Sequence, residues 1–171
     1  MRGSFLRGLL DGALSTLGVV IGAYAAAPSV IIAAAVGGTI ANGISNTLSA
    51  FSAAGSEQYR QLRSVEKAMV SRQLKESILD QRIGRRTMLA GAVDGVATMI
   101  GGALPTIPYV FLPRLQAMGL SIGLVVLTAA VAGVYLGRLS RRNLLLSALK
   151  MAIFAVVVAA VVYLVQLLIV E

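Results

Sequence analysis

Neither cysteine nor histidine occurs in the 171 residues. Their absence excludes disulfides, thiol catalysis, Cys/His zinc sites and haem ligation by either side chain. Charge is scarce as well: 13% of residues are charged, and acidic ones number only seven. A soluble domain averages about 25% charged and about 45–50% apolar residues. This chain is 57% hydrophobic with a mean hydropathy of +0.85, the composition of an integral membrane protein. No nucleophile–base pair, phosphate loop or cofactor fingerprint is present, so the chain does not read as an enzyme and needs no permanently bound cofactor. Any metal must be met by oxygen, with a methionine thioether such as Met99 as the soft option. That ligand set suits magnesium, calcium and manganese, and ferrous iron less well.

Apolar runs long enough to cross a bilayer, roughly 20 residues each, fall at about 4–25, 29–55, 87–111, 117–137 and 144–169. The expected fold is an all-α membrane protein of five transmembrane helices. Three regions follow: helices 1–2 over residues 1–56, a cytoplasmic amphipathic helical segment over 57–86, and helices 3–5 over 87–171. Pro28 and Pro113 fall in the tight connections, where a missing N–H does least damage. The apolar stretch after Arg2 and Arg7 contains Asp11 and lacks a convincing cleavage motif, so it is read as a span and not as a removable signal.

The +8 net charge is distributed as a topology signal and not as a nucleic-acid surface. Arg2 and Arg7 precede the first span, eight basic residues lie in 57–86, and Arg138, Arg141 and Arg142 join the last two spans. Only Arg114 falls on the other side. The positive-inside rule then gives a cytoplasmic N-terminus, an external C-terminus and a basic face suited to anionic lipid. The cell membrane is the expected location, since nothing in the sequence specifies another.

Within the spans one phrase occurs twice. Gly8-Leu9-Leu10-Asp11-Gly12 recurs as Gly91-Ala92-Val93-Asp94-Gly95, and Ser15 and Gly18 answer to Thr98 and Gly101. Spans one and three share a direction, so the duplication reads as two parallel two-helix repeats plus a fifth helix. A carboxylate inside a spanning helix is costly and marks a functional site by default. Asp11 and Asp94 are therefore candidate cation ligands or proton carriers, since desolvation favours the protonated form of a carboxylate. The bland alternative has each accepting a hydrogen bond that locks helix packing.

Span two carries Asn42, Ser45, Asn46 and Ser49, which helical spacing gathers on one face. Their oxygens are neutral cation ligands or, equally, interhelical glue. In 57–86 the apolar residues recur at helical spacing among charges, the pattern of a membrane-surface or self-packing helix. Its acids Glu57, Glu76 and Asp80 are weak metal candidates, set against nearby Arg and Lys partners. Gly101-Gly102-Ala103-Leu104-Pro105, followed by Pro108, marks either a kinked gate or the end of span three.

The arrangement resembles the vacuolar iron transporter family. The likeness runs from Asp11-Gly12, through Asn42-Gly43-Ile44-Ser45-Asn46 to Ser56-Glu57. It continues with Gly101-Gly102-Ala103-Leu104-Pro105-Thr106-Ile107-Pro108-Tyr109, Gly137 to Arg142, Leu149-Lys150-Met151 and Tyr163. The resemblance implies a homodimer of five-span subunits with the ion path at their interface. It implies transport of ferrous and manganous ions against protons, and Asp11 as the first-span metal ligand. This chain departs from the family pattern where Gly38 replaces a glutamate, Asn46 a methionine and Lys150 an acidic residue, and Asp94 is extra. The expected metal shell is Asp11 and Asp94 completed by Asn42, Asn46 and Ser45. A non-transporting membrane scaffold, or a transporter of the same fold with another cargo, are the alternatives.

Overall fold

The computed structural model describes the backbone of residues 2–69, 78–140 and 143–170, and the side chains of 3–52, 85, 88–140 and 143–169. Among these residues all regular structure is helical: α1 (Arg2–Gly22), α2 (Pro28–Met69), α3 (Ile78–Phe111), α4 (Arg114–Leu139) and α5 (Leu144–Val170). Each contains a stretch long and apolar enough to cross a bilayer: Gly3–Gly22, Pro28–Ser52, Met88–Phe111, Arg114–Leu139 and Leu144–Ile169. The all-α, five-span class expected from the sequence is the class observed.

Local chemistry sets the helix ends. Pro28 opens α2, its fixed φ suiting a first helical position where the N–H is dispensable. The carbonyl of Ala27 accepts the N–H groups of Val30 and Ile31 at 2.9 and 3.1 Å. Pro113 precedes α4 in an extended conformation, φ −57° and ψ 148°. Asn143 caps α5 by accepting the Leu145 N–H on Oδ1 at 3.1 Å. α3 is not terminated at its prolines: Pro105 and Pro108 lie inside a helix that continues to Phe111. The end of span three thus falls at Phe111, as expected, three residues beyond Pro108. The Ser121 hydroxyl of α4 donates to the Pro105 carbonyl at 2.7 Å, tying α4 to this stretch.

α2 is 42 residues long, about 63 Å at the α-helical rise and roughly twice a bilayer core. Residues 57–69 prolong it and 78–86 open α3. Glu57, Glu76 and Asp80 lie outside the residues whose side chains are described.

Glycine positions determine which helices touch. A Cβ at Gly8 would strike the backbone of Asp94, one at Gly12 the Thr98 carbonyl, and one at Gly101 the Leu9 carbonyl. Rising numbers on α1 meet rising numbers on α3, so the two run parallel, backbone against backbone. α2 runs antiparallel to both: Gly95 abuts Gly43 and Thr47, Gly91 abuts Ala50 and Phe51, and Gly102 sits on the Thr16 and Thr39 hydroxyls. α4 and α5 close against each other where Gly133 and Gly137 meet Ser147.

The repeated phrase is thus used twice with its partners changed. In α1 the glycines turn to α3, whereas in α3 they turn to α2. Near the α1–α2 turn the bundle is filled by an apolar core that includes Leu17, Val20, Ile21, Ile31, Tyr109 and Val125. Arg7, Asp11, Asn42, Asn46 and Asp94 gather below it.

Candidate intramembrane carboxylate site

Asp11 projects from the exposed face of α1, which also carries Arg7 and Ser15 at steps of four residues. Its Oδ2 accepts hydrogen bonds from Asn46 Nδ2 at 2.7 Å and Asn42 Nδ2 at 3.0 Å. An ionised carboxylate only accepts, so it is met by the amide N–H ends of both asparagines. Asn42 Nδ2 also donates to Ser15 Oγ at 2.9 Å, and Ser15 Oγ donates to the Gly12 carbonyl at 3.3 Å. Asn46 Nδ2 also donates to Thr98 Oγ1 at 2.9 Å, and that hydroxyl donates to the Asp94 carbonyl at 2.9 Å. One turn of α2 separates the two asparagines, which lets both reach one oxygen across an antiparallel helix pair.

Among the described residues no hydrogen bond reaches Asp11 Oδ1 or the Oδ1 atoms of Asn42 and Asn46. Three oxygens, one of them charged, therefore remain open to a ligand. Ser45 lies exposed on the same helix and makes no hydrogen bond to Asp11. Met99 is directed elsewhere: its side chain packs against Gly43 and lines apolar grooves between α2 and α3. Gly38 and Lys150 are both exposed.

Asp94 has a different setting. Its side chain is 2% exposed and is gripped by Arg7, with Nη2 on Oδ2 at 2.6 Å and Nε on Oδ1 at 3.3 Å. Both oxygens are engaged, and the guanidinium fork matches the carboxylate plane. The structure brings Asp11, Asn42 and Asn46 together; it connects Asp94 to them only through its backbone carbonyl and Thr98. Gly8 makes this possible, because a side chain there would hold α1 away from the Asp94 backbone.

Sequence reasoning took Arg7 for a topology marker and Ser15 and Thr98 for repeat partners only. The available signal was that a carboxylate buried in a span requires a counter-charge or donors, and Arg7 stands one turn before Asp11.

A second polar contact lies nearer the turn, where Thr16 Oγ1 and Thr39 Oγ1 share a buried hydrogen bond of 2.8 Å. Five apolar spans that carry an open carboxylate–amide cluster on an exposed intramembrane face define a polytopic membrane protein with a polar site. The family model of the VIT family matches residues 57–167, and the chain belongs to this vacuolar iron transporter family, one of membrane metal-ion transporters. A similar protein is an uncharacterised one from Methanocaldococcus jannaschii, 41% identical over 164 residues, covering 94% of this chain and 86% of the relative.

Proposed function

We propose that the protein carries a divalent metal ion, manganous or ferrous, out of the cytoplasm in exchange for protons. It does so as a homodimer in the cell membrane, with the N-terminus cytoplasmic, the C-terminus external and the basic cytoplasmic parts against anionic lipid. The observation that supports this reading is Asp11 itself. Within a span it is exposed on the protomer surface, half-solvated by two amides, with one oxygen open. A carboxylate facing acyl chains is unfavourable by several kcal/mol, so a second copy of the same face is the natural cover.

Two such faces oppose two carboxylates and four asparagine carbonyls across a two-fold axis. Ser45 lies on the same face as a supplementary oxygen. An ion shedding water there meets oxygen alone, a shell that favours manganous over ferrous ion. Proton entry in exchange for the departing ion is the counter-flux this reading requires.

The test is uptake of manganous and ferrous ions into proteoliposomes under an imposed proton gradient, with wild type beside Asp11→Asn. Gradient-dependent flux, faster for manganese and lost in the variant, is the expected result. Absence of flux from a folded wild-type dimer overturns the proposal and favours a scaffold or another cargo.

A further inference from the structure

The Arg7–Asp94 pair is left over from the ion-binding cluster, and it lies one helical turn from it. Arg7 and Asp11 occupy the same exposed face of α1 four residues apart, with Cβ atoms about 5–6 Å apart in a helix. Arg7 is 69% exposed although it holds two bonds. Its Nη1 has no hydrogen-bond partner among the described residues. The Asp94 carboxylate, by contrast, is fixed in the α1–α3 seam. A long guanidinium side chain rooted at position 7 therefore has two carboxylates within reach, and Asp94 holds it.

Physical chemistry explains the choice. Asp94 lies where water is excluded, so its attraction to a cation is weakly screened and its unpaired state is expensive. Asp11 lies at the surface and already receives two amide N–H groups. Arg7 stays on Asp94, and the pair is neutral. One full negative charge remains at Asp11 to draw a metal ion.

We infer that Arg7 is a tethered competitor for the metal site, and that Asp94 serves as the counter-charge that keeps Arg7 away from Asp11. Resting on the transport reading above, this assigns Asp94 a positioning role and not that of a ligand. Removing the Asp94 charge frees Arg7 to turn to the open oxygen of Asp11. The local charge sum then rises from minus one to zero, and the guanidinium occupies the place of the ion. At an effective dielectric of about 20, a unit charge roughly 12 Å from a bound divalent cation already weakens binding on the order of 100-fold, so a guanidinium closer than that weakens it by at least as much.

The experiment is manganous-ion binding to the purified full-length dimer by titration calorimetry, for wild type, Asp94→Asn, and the neutral double variant Arg7→Gln/Asp94→Asn. Expected are a loss of affinity on the order of 100-fold in Asp94→Asn and recovery to near wild type in the double variant. A ligand or purely structural role for Asp94 gives no recovery, which overturns the inference. Unchanged affinity in Asp94→Asn overturns it too, because Arg7 then does not compete. Should Asp94→Asn not fold, the double variant decides alone: retained binding supports the inference, and lost binding refutes it. A folded wild type that binds no manganous ion removes the transport reading itself, an outcome distinct from the others.

Discussion

Gly12→Ala is the sharpest test of how the site is held. The added Cβ would fall on the Thr98 carbonyl oxygen, 2.7 Å from its carbon and 2.9 Å from the Gly102 nitrogen. Every obstructing atom is backbone, so no side chain can swing aside. Carbon contacts relax near 3.5–4.0 Å, so α1 and α3 must part by about 1 Å or more. Overpacking of this kind costs about 1–3 kcal/mol. Widening the gap also strains the hydrogen bonds from Asn46 to Asp11 and Thr98, each worth about 1 kcal/mol or more. A total near 3 kcal/mol is expected, read as a shifted midpoint in reversible detergent unfolding.

Gly18→Ala is the control, since its Cβ meets nothing closer than Val162 Cγ2 at 3.8 Å. It should leave stability unchanged or raise it by up to about 1 kcal/mol, alanine being the better helix former. Equal stability of the two variants would refute the backbone-contact account of the α1–α3 seam.

Two further outcomes follow from features described above. Thr39→Val leaves the buried Thr16 hydroxyl without its partner and should cost about 1–3 kcal/mol, whereas Thr16→Val/Thr39→Val should cost less than the sum of the singles; additivity in a double-mutant unfolding cycle would contradict a shared bond. Because the chain has no cysteine, Ser29→Cys and Ser140→Cys each give a single thiol at opposite ends of the bundle. On intact cells a membrane-impermeant maleimide should label the first and spare the second, and the reverse pattern would invert the topology.

The spans were legible because hydropathy is a property of the local sequence. The expected boundaries at 87–111 and 144–169 agree within a residue with Met88–Phe111 and Leu144–Ile169. α4 starts earlier than its apolar run because Arg114 follows a proline that fixes the helix start. The four-residue spacing of Asn42 and Asn46 was legible, and both meet Asp11, whereas Ser45 makes no bond to it. The fate of Asp94 was not legible, since it depends on a contact between residues 87 apart in sequence. Whether a glycine phrase seats an aspartate on amides or on arginine is set by which neighbour each helix face meets, and the Gly-x-x-Asp-Gly frame is shared by both.

The division of labour between helices has an electrical consequence. Arg7, Asp11 and Asp94 all belong to α1 and α3, whose backbones touch, while α2 offers the site only uncharged amides. A charge carried through the full membrane potential exchanges about 2.3 kcal/mol per 100 mV. Sliding or tilting α2 against the α1–α3 body alters the oxygens presented to an ion yet carries none of these three charges through the field. Such a motion is electrically silent, so any voltage dependence of a transport cycle built on it would arise from the cargo and its counter-ions.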